Sequence, residues 1–265
     1  MSLIIGTNGP DTLTSGGEAV IVFGRAGNDT LTGAALADQL FGEAGNDVLA
    51  GGAGNDLLDG GDGNDAINTG QGDDVVLGGR GNDSVGGMAG ADTVFGGDGN
   101  DFIAWNDPTG DLAFGDNGND TLIGGNVAAD TILGGTGDDV VRAFATSPED
   151  ATAADLLFGG DGHDVVQGGA GADTIEGGRG LDTLTGNGGA DAFVFQAGGR
   201  DRDTVTDFDT TRDVVVLVGF APGFDPLAAL FSRPFGTMMD LGGGAFVTFT
   251  GRLVGEFGAE DFALV

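Results

Sequence analysis

Between Gly42 and Asp65 the chain reads GEAGNDVLA, GGAGNDLLD, GGDGND, so that glycines, an aspartate and a large aliphatic return every nine residues. A period this short is the signature of a solenoid built from very small units, and it has to be read before any secondary structure. Glycine at positions 1, 2 and 4 opens backbone angles closed to residues with a Cβ and leaves carbonyl oxygens unshielded. Aspartate at position 6 places a hard anionic oxygen beside them. Carbonyl and carboxylate oxygens without imidazole or thiolate form the donor set that calcium selects. The last three residues, such as Val48-Leu49-Ala50, are too few for a helical turn but enough for a short strand whose middle residue points inward. The expected unit is a six-residue turn followed by a three-residue strand.

The frame opens at Gly6 and continues to Phe193, about twenty units, interrupted by single residues at Trp105 and Gly124 and by seven residues from Ala143 to Glu149. Position 6 is aspartate in every unit but the second, where Val20 stands. Position 8 runs Leu31, Leu40, Leu49, Leu58, Ile67, Val76 and onward to Leu184 and Phe193, which predicts a narrow aliphatic column between two sheets.

The pattern GGxGxDxUx, with U a large aliphatic, resembles the RTX family of nonapeptide repeats over about three quarters of the chain. The resemblance implies an all-β fold, a right-handed parallel β-roll in which two units make one coil. It also implies calcium ions between a turn and the turn two units later, held by position-6 aspartates and glycine carbonyls. Alternate units then fall on opposite edges. One ladder carries Asp29, Asp47, Asp65, Asp83, Asp101, Asp120, Asp139, Asp164 and Asp182, with glycine at positions 1 and 4 throughout. A nearly continuous calcium row is expected there, with Gly42, Gly60, Gly61, Gly63, Gly78, Gly79, Gly81, Gly96, Gly97 and Gly99 supplying carbonyls. The other ladder keeps its turn at Asp56, Asp74 and Asp92 and again at Asp173 and Asp191, which join the expected ligands.

Between those two groups the second ladder loses its glycines, in the turns ending at Asp111, Asp130 and Asp155, and all three insertions precede these units. Two readings stand. This edge, with Trp105, Asn106, Asp107, Phe144 and the loop through Pro148, is a metal-poor surface for a partner, or it records drift on the tolerant edge of a solenoid.

Charge bears on folding. The chain has 265 residues, 57 of them glycine, and 42 acidic against 9 basic groups, a net charge of -33. Such a polyanion is expected to be disordered until cations bind, and roughly a dozen calcium ions would cancel about two thirds of the charge, so folding and metal binding become one event. Acidity argues against nucleic acid as a partner. There is no cysteine for a disulfide or thiolate site. The opening MSLIIGTNGP shows no basic, then apolar, leader, and no run is long enough for a membrane helix.

The expected division is a roll over residues 1–194 and a capping region over 195–265. After Phe193, DAFVFQ, DTVTDF, DVVVLV and AFVTFT read as strands, and Asp225-Pro226 before LAALF reads as the start of one short helix. A solenoid needs its open end covered, and this Phe-rich segment is the candidate cap. The series resembles the carboxyl-terminal region of RTX exoproteins, including the serralysin proteases, whose extreme C-terminus is an uncleaved type I secretion signal. That resemblance implies the type I machinery as a partner and an extracellular destination.

Catalytic constellations are missing. His163 is the lone histidine and sits at a variable loop position, so neither a two-histidine zinc motif nor a Ser-His-Asp triad can be assembled. Ser84 lacks the nucleophile-elbow pattern. The expectation is a calcium-folded secretion and stability module rather than an enzyme. Two alternatives stay open: a carbohydrate-binding or adhesive module that meets polysaccharide or a cell surface, and a purely structural extracellular solenoid.

Overall fold

The aliphatic at position 8 decides the architecture. Leu31, Leu40, Leu49, Leu58, Val76, Val94, Leu122, Ile132, Leu157, Ile175, Leu184 and Phe193 are fully buried in one continuous column. Their neighbours at positions 7 and 9 face outward, as period-2 alternation in a strand requires. The structure, a computed structural model, describes residues 2–144 and 147–265. Of the Ala143–Glu149 insertion, Ala145 and Thr146 lie outside the described residues.

Successive strands alternate between two parallel sheets, one of thirteen strands and one of fourteen among the described residues. Through the repeats each strand pairs with the strand two places along the chain, and the aliphatics stay in register: Leu40 opposite Leu58, Leu58 opposite Val76, Leu31 opposite Leu49. This is the expected β-roll, an all-β parallel solenoid.

The strands are longer than the expected triplet. Val48–Ala53, Leu57–Asp62 and Ala66–Gln71 each run six residues. The reason is that the glycine turn itself pairs with the next coil: Gly52 lies opposite Gly70 and Ala53 opposite Gln71. In the fourteen-stranded sheet strand length varies, and Val165–Gln167 and Thr183–Thr185 are three residues long even ahead of turns that carry glycine. Phe102–Ala104, Thr121–Ile123 and Val140–Arg142 enter the glycine-poor turns and remain three residues long.

Stacking does not stop where the repeat does. Ala192–Gln196, Arg202–Val205 and Val214–Val218 add further parallel strands to the two sheets. Phe262–Leu264 then closes one sheet, and Ala245–Thr250 carries the other into an antiparallel pair with Gly236–Gly242 and Leu230–Arg233. Phe208 lies at the centre of this end, its ring centroid 5.9 Å from Phe193, 5.1 Å from Phe249 and 5.5 Å from Phe257. The short helix expected after Pro226 does not form. Asp225 does cap the amides of Leu227 and Ala228, but the chain makes a single turn before Leu230–Arg233 is drawn into the sheet. The described residues contain two short 3-10 turns, Val254–Glu256 and Ala259–Asp261, and no α-helix.

Candidate metal centres along the two edges

Position 6 is buried as thoroughly as position 8. Asp29, Asp47, Asp65, Asp83, Asp101, Asp120, Asp139, Asp164 and Asp182 are each at most 3% exposed, so each must find partners for two oxygens away from water. One oxygen is served by the fold. The backbone N–H of Asp47 donates to Oδ1 of Asp65 at 2.7 Å, that of Asp65 to Asp83 at 2.7 Å, and the ladder repeats on both edges. Each aspartate thus reads its neighbour one coil on, and each Oδ1 is committed.

The other oxygen is left over. Oδ2 of all nine first-edge aspartates has no hydrogen-bond partner within the protein, and neither has Oδ2 of Asp56, Asp74, Asp92, Asp111 or Asp155 on the second edge. Orphaned buried acceptors in such numbers are foreign to a self-sufficient fold. Around them lie carbonyl oxygens. At Gly42 a methyl group would overlap Asp47 Oδ2 and would stand 2.5 Å from the Gly60 carbonyl oxygen, so both oxygens face one small cradle. The same cradle recurs at Gly60, Gly78 and Gly96. At position 4, Gly63 has φ +145 and a methyl there would overlap the Gly45 carbonyl. The first-edge turn keeps this left-handed shape even where glycine is absent: Arg25, Glu43 and Asp116 hold φ of 81, 71 and 70.

Electrostatics agree with geometry. Burial first, then neighbouring carboxylates, push Asp65 and Asp120 up to about 7 despite the ladder amide that each accepts. Asp111 is pushed to about 8 by burial, with Asp107, Asp130 and Asp92 adding to it. Without cations, these carboxyls favour the protonated form at pH values where a free aspartate is ionised. Among the described residues no three acidic or imidazole side chains converge on one point. A cation here must therefore take carbonyl oxygens for most of its shell, as calcium does and as transition metals do not. The donor set fits calcium.

The profile of the RTX calcium-binding nonapeptide repeat (4 copies) matches residues 5–40, 33–67, 41–76, 68–103, 125–145, 158–193 and 167–205. The chain belongs to the RTX calcium-binding repeat family. It is a calcium-binding β-roll, and the segments the profile passes over, 104–124 and 146–157, fall in or beside the turns that lack glycine. No curated protein sequence matches this RTX chain. Among solved structures it is similar to the extracellular lipase LipA from Serratia marcescens, at 20% identity and TM-score 0.43, over 95% of this chain and 40% of that one. It is also similar to the AlgE6R3 subunit of the Azotobacter vinelandii mannuronan C5-epimerase, at 23% identity and TM-score 0.20, over 51% and 78% of the two chains. The RTX chain thus spans two fifths of the lipase's length.

Several second-edge residues stand differently from the sequence expectation. Asp173 Oδ2 accepts the Gly169 N–H at 2.7 Å, and Gly169 and Gly171 do not take left-handed angles. Asp191 keeps the left-handed turn, at Asn187 and Gly189. Asp111 and Asp155, passed over for want of glycine, carry unpartnered oxygens. Trp105 is 4% exposed, inside the roll rather than on a surface. A second ladder also escaped notice: at position 5 the N–H of Asn64 donates to Asn46 Oδ1, Asn82 to Asn64, and Leu181 to Nδ1 of exposed His163. The alternation of asparagine at that position was visible, but its one-coil reach was not.

Proposed function

We propose that this RTX chain is a module of a secreted protein that stays unfolded where calcium is scarce and folds on meeting extracellular calcium. The observation that carries it is the unbroken row of nine buried aspartates whose second oxygen has no partner in the protein. With a net charge of -33, the chain resists compaction until cations enter. An unfolded polyanion is threadable through a type I exporter, and folding outside would prevent its return. In this reading residues 1–194 are the calcium roll and 195–265 the cap and secretion signal. The ligands are the nine first-edge aspartates with Asp56, Asp74, Asp92 and Asp191, plus carbonyls of the glycine turns from Gly42 to Gly99, which accommodates roughly a dozen ions. Asp173, closed by Gly169, is left out. Circular dichroism between micromolar and millimolar calcium should show a large gain of β signal; a chain fully folded in chelator would end this account.

One observation favours an adhesive or carbohydrate-binding role beside it. Phe23, Phe41, Asp59, Leu77, Phe95, Phe114 and Leu133 share one register row on the outer face of the thirteen-stranded sheet, apolar but for Asp59. The Phe95 and Phe114 rings stack at 4.9 Å, and the polar row Asp62, Arg80, Asp98 and Asn117 runs alongside. Binding of the calcium-loaded protein to a polysaccharide panel, weakened by Phe95→Ser and Phe114→Ser, would support it. Binding unaffected by either substitution, or none at all, would remove it.

A further inference from the structure

Two of the three insertions end on the same oxygen. Pairing places Ala104 opposite Ile123, so the next residues along, Trp105 and Gly124, share the buried position-1 column that Gly51 and Thr69 hold on earlier coils. The extra residue in each unit therefore lies within the turn and not ahead of it. The column is tight: a methyl at Gly51 would run into Asp56 of its own turn, and the side chains it admits on other coils are as small as Thr69 and Ala143. Trp105 brings an indole there.

The ring fills the interior between two coils, and its Nε1 donates to Oδ2 of Asp130 at 3.2 Å. The backbone N–H of Gly125 donates to the same oxygen at 3.0 Å, as the amides of Ala34 and Gly169 do to Asp38 and Asp173 in turns of ordinary length. Oδ1 accepts the ladder amide of Asp111 at 2.9 Å. Asp130, 1% exposed, thus has both oxygens held by three N–H donors, while Asp111 and Asp155 on the adjoining coils accept a ladder amide at Oδ1 and keep Oδ2 unpartnered. Burial raises the Asp130 carboxyl above the usual aspartate range, and the three donors offset part of that cost without any metal. No residue from 106 to 110 or from 125 to 129 takes the left-handed angles that turn carbonyls toward a cation elsewhere.

We propose that the Trp105 indole and the Gly125 amide stand in for a cation at Asp130, so that the ion row of the second edge is interrupted at this coil and hydrogen bonds join the coils there instead. The inference rests on the calcium reading of the neighbouring turns, and its test separates the two. Urea unfolding of the full chain is followed across a calcium series; the slope of unfolding free energy against the logarithm of free calcium counts the ions taken up on folding. Asp65→Asn, at an open turn, should lower that count by about one. Asp130→Asn should leave the count at the wild-type value and lower the folding constant about tenfold or more at every calcium concentration, because its amide faces two donors. Trp105→Phe, which keeps the ring and removes the N–H, should do the same and serves if Asp130→Asn fails to fold. A count lowered by about one in Asp130→Asn or Trp105→Phe, with the loss fading at low calcium, would place a cation at Asp130 and overturn the proposal. An Asp65→Asn count equal to wild type would remove the calcium reading, and this inference with it.

Discussion

Replacing Asp65 with asparagine should have opposite effects on stability at low and at high calcium. Asp65 is 2% exposed, its Oδ1 accepts the Asp47 amide at 2.7 Å, and its Oδ2 has no partner. Asparagine preserves the amide acceptor and removes the charge. Burial raises the carboxyl from 3.8 to about 7, which corresponds to ~4 kcal/mol of charge-burial cost at alkaline pH. Screening by solvent flanking the turn reduces this to about 2 kcal/mol, the amount by which the variant should be more stable without calcium. Against it stands the loss of one ion, whose contribution grows as RT ln(1 + [Ca]/Kd). The two balance near ~30 Kd, and at ~1,000 Kd the variant should be about 2 kcal/mol less stable than wild type. Urea melts followed by circular dichroism across a calcium series would give two lines that cross, the variant's the shallower. Parallel lines, or a variant less stable at every calcium concentration, would show that Asp65 serves packing alone and would refute the reasoning.

Two further outcomes follow from the same geometry. Gly63→Ala should cost about 3 kcal/mol or more in saturating calcium, since φ of +145 and the Gly45 carbonyl both exclude a methyl; Gly9→Ala, with open space around it, should stay within about 0.5 kcal/mol in the same urea melt. Acid should partly substitute for calcium. Asp65, Asp120 and Asp155 are raised to about 7 and Asp111 to about 8 in the metal-free roll, above the unfolded value of 3.8. The folded state therefore binds the extra protons, and the stability they confer is complete below about pH 4 and is lost as pH rises through about 6 to 8. In chelator, the β signal should be larger at pH 5 than at pH 8, and calcium added at pH 8 should restore it; a chelated chain better folded at pH 8 would contradict this.

The sequence by itself determined the repeat and what depends on it. A nine-residue period with an aliphatic in phase with an aspartate can bury Leu49, Leu58 and Val76 in one column only by stacking identical short strands. The parallel roll and the first-edge row of aspartates were legible because every contact there repeats from coil to coil. Tertiary structure decided whatever depends on a residue a full coil away. Whether an aspartate's second oxygen is open or closed turns on whether an amide four or five residues upstream, or a side chain from the neighbouring coil, reaches it. So Asp173 is closed by Gly169 despite its glycine turn, while Asp111 and Asp155 are open without one. Trp105 reads in one dimension as an extra residue on an edge; only the pairing of Ala104 with Ile123 places its ring inside, 25 residues from the carboxylate it meets. Likewise Asp225-Pro226 carries a sound local signal for a helix, yet Phe231 finds a strand partner in Met238, and sheet pairing with burial outweighs a propensity of a few tenths of a kcal/mol per residue.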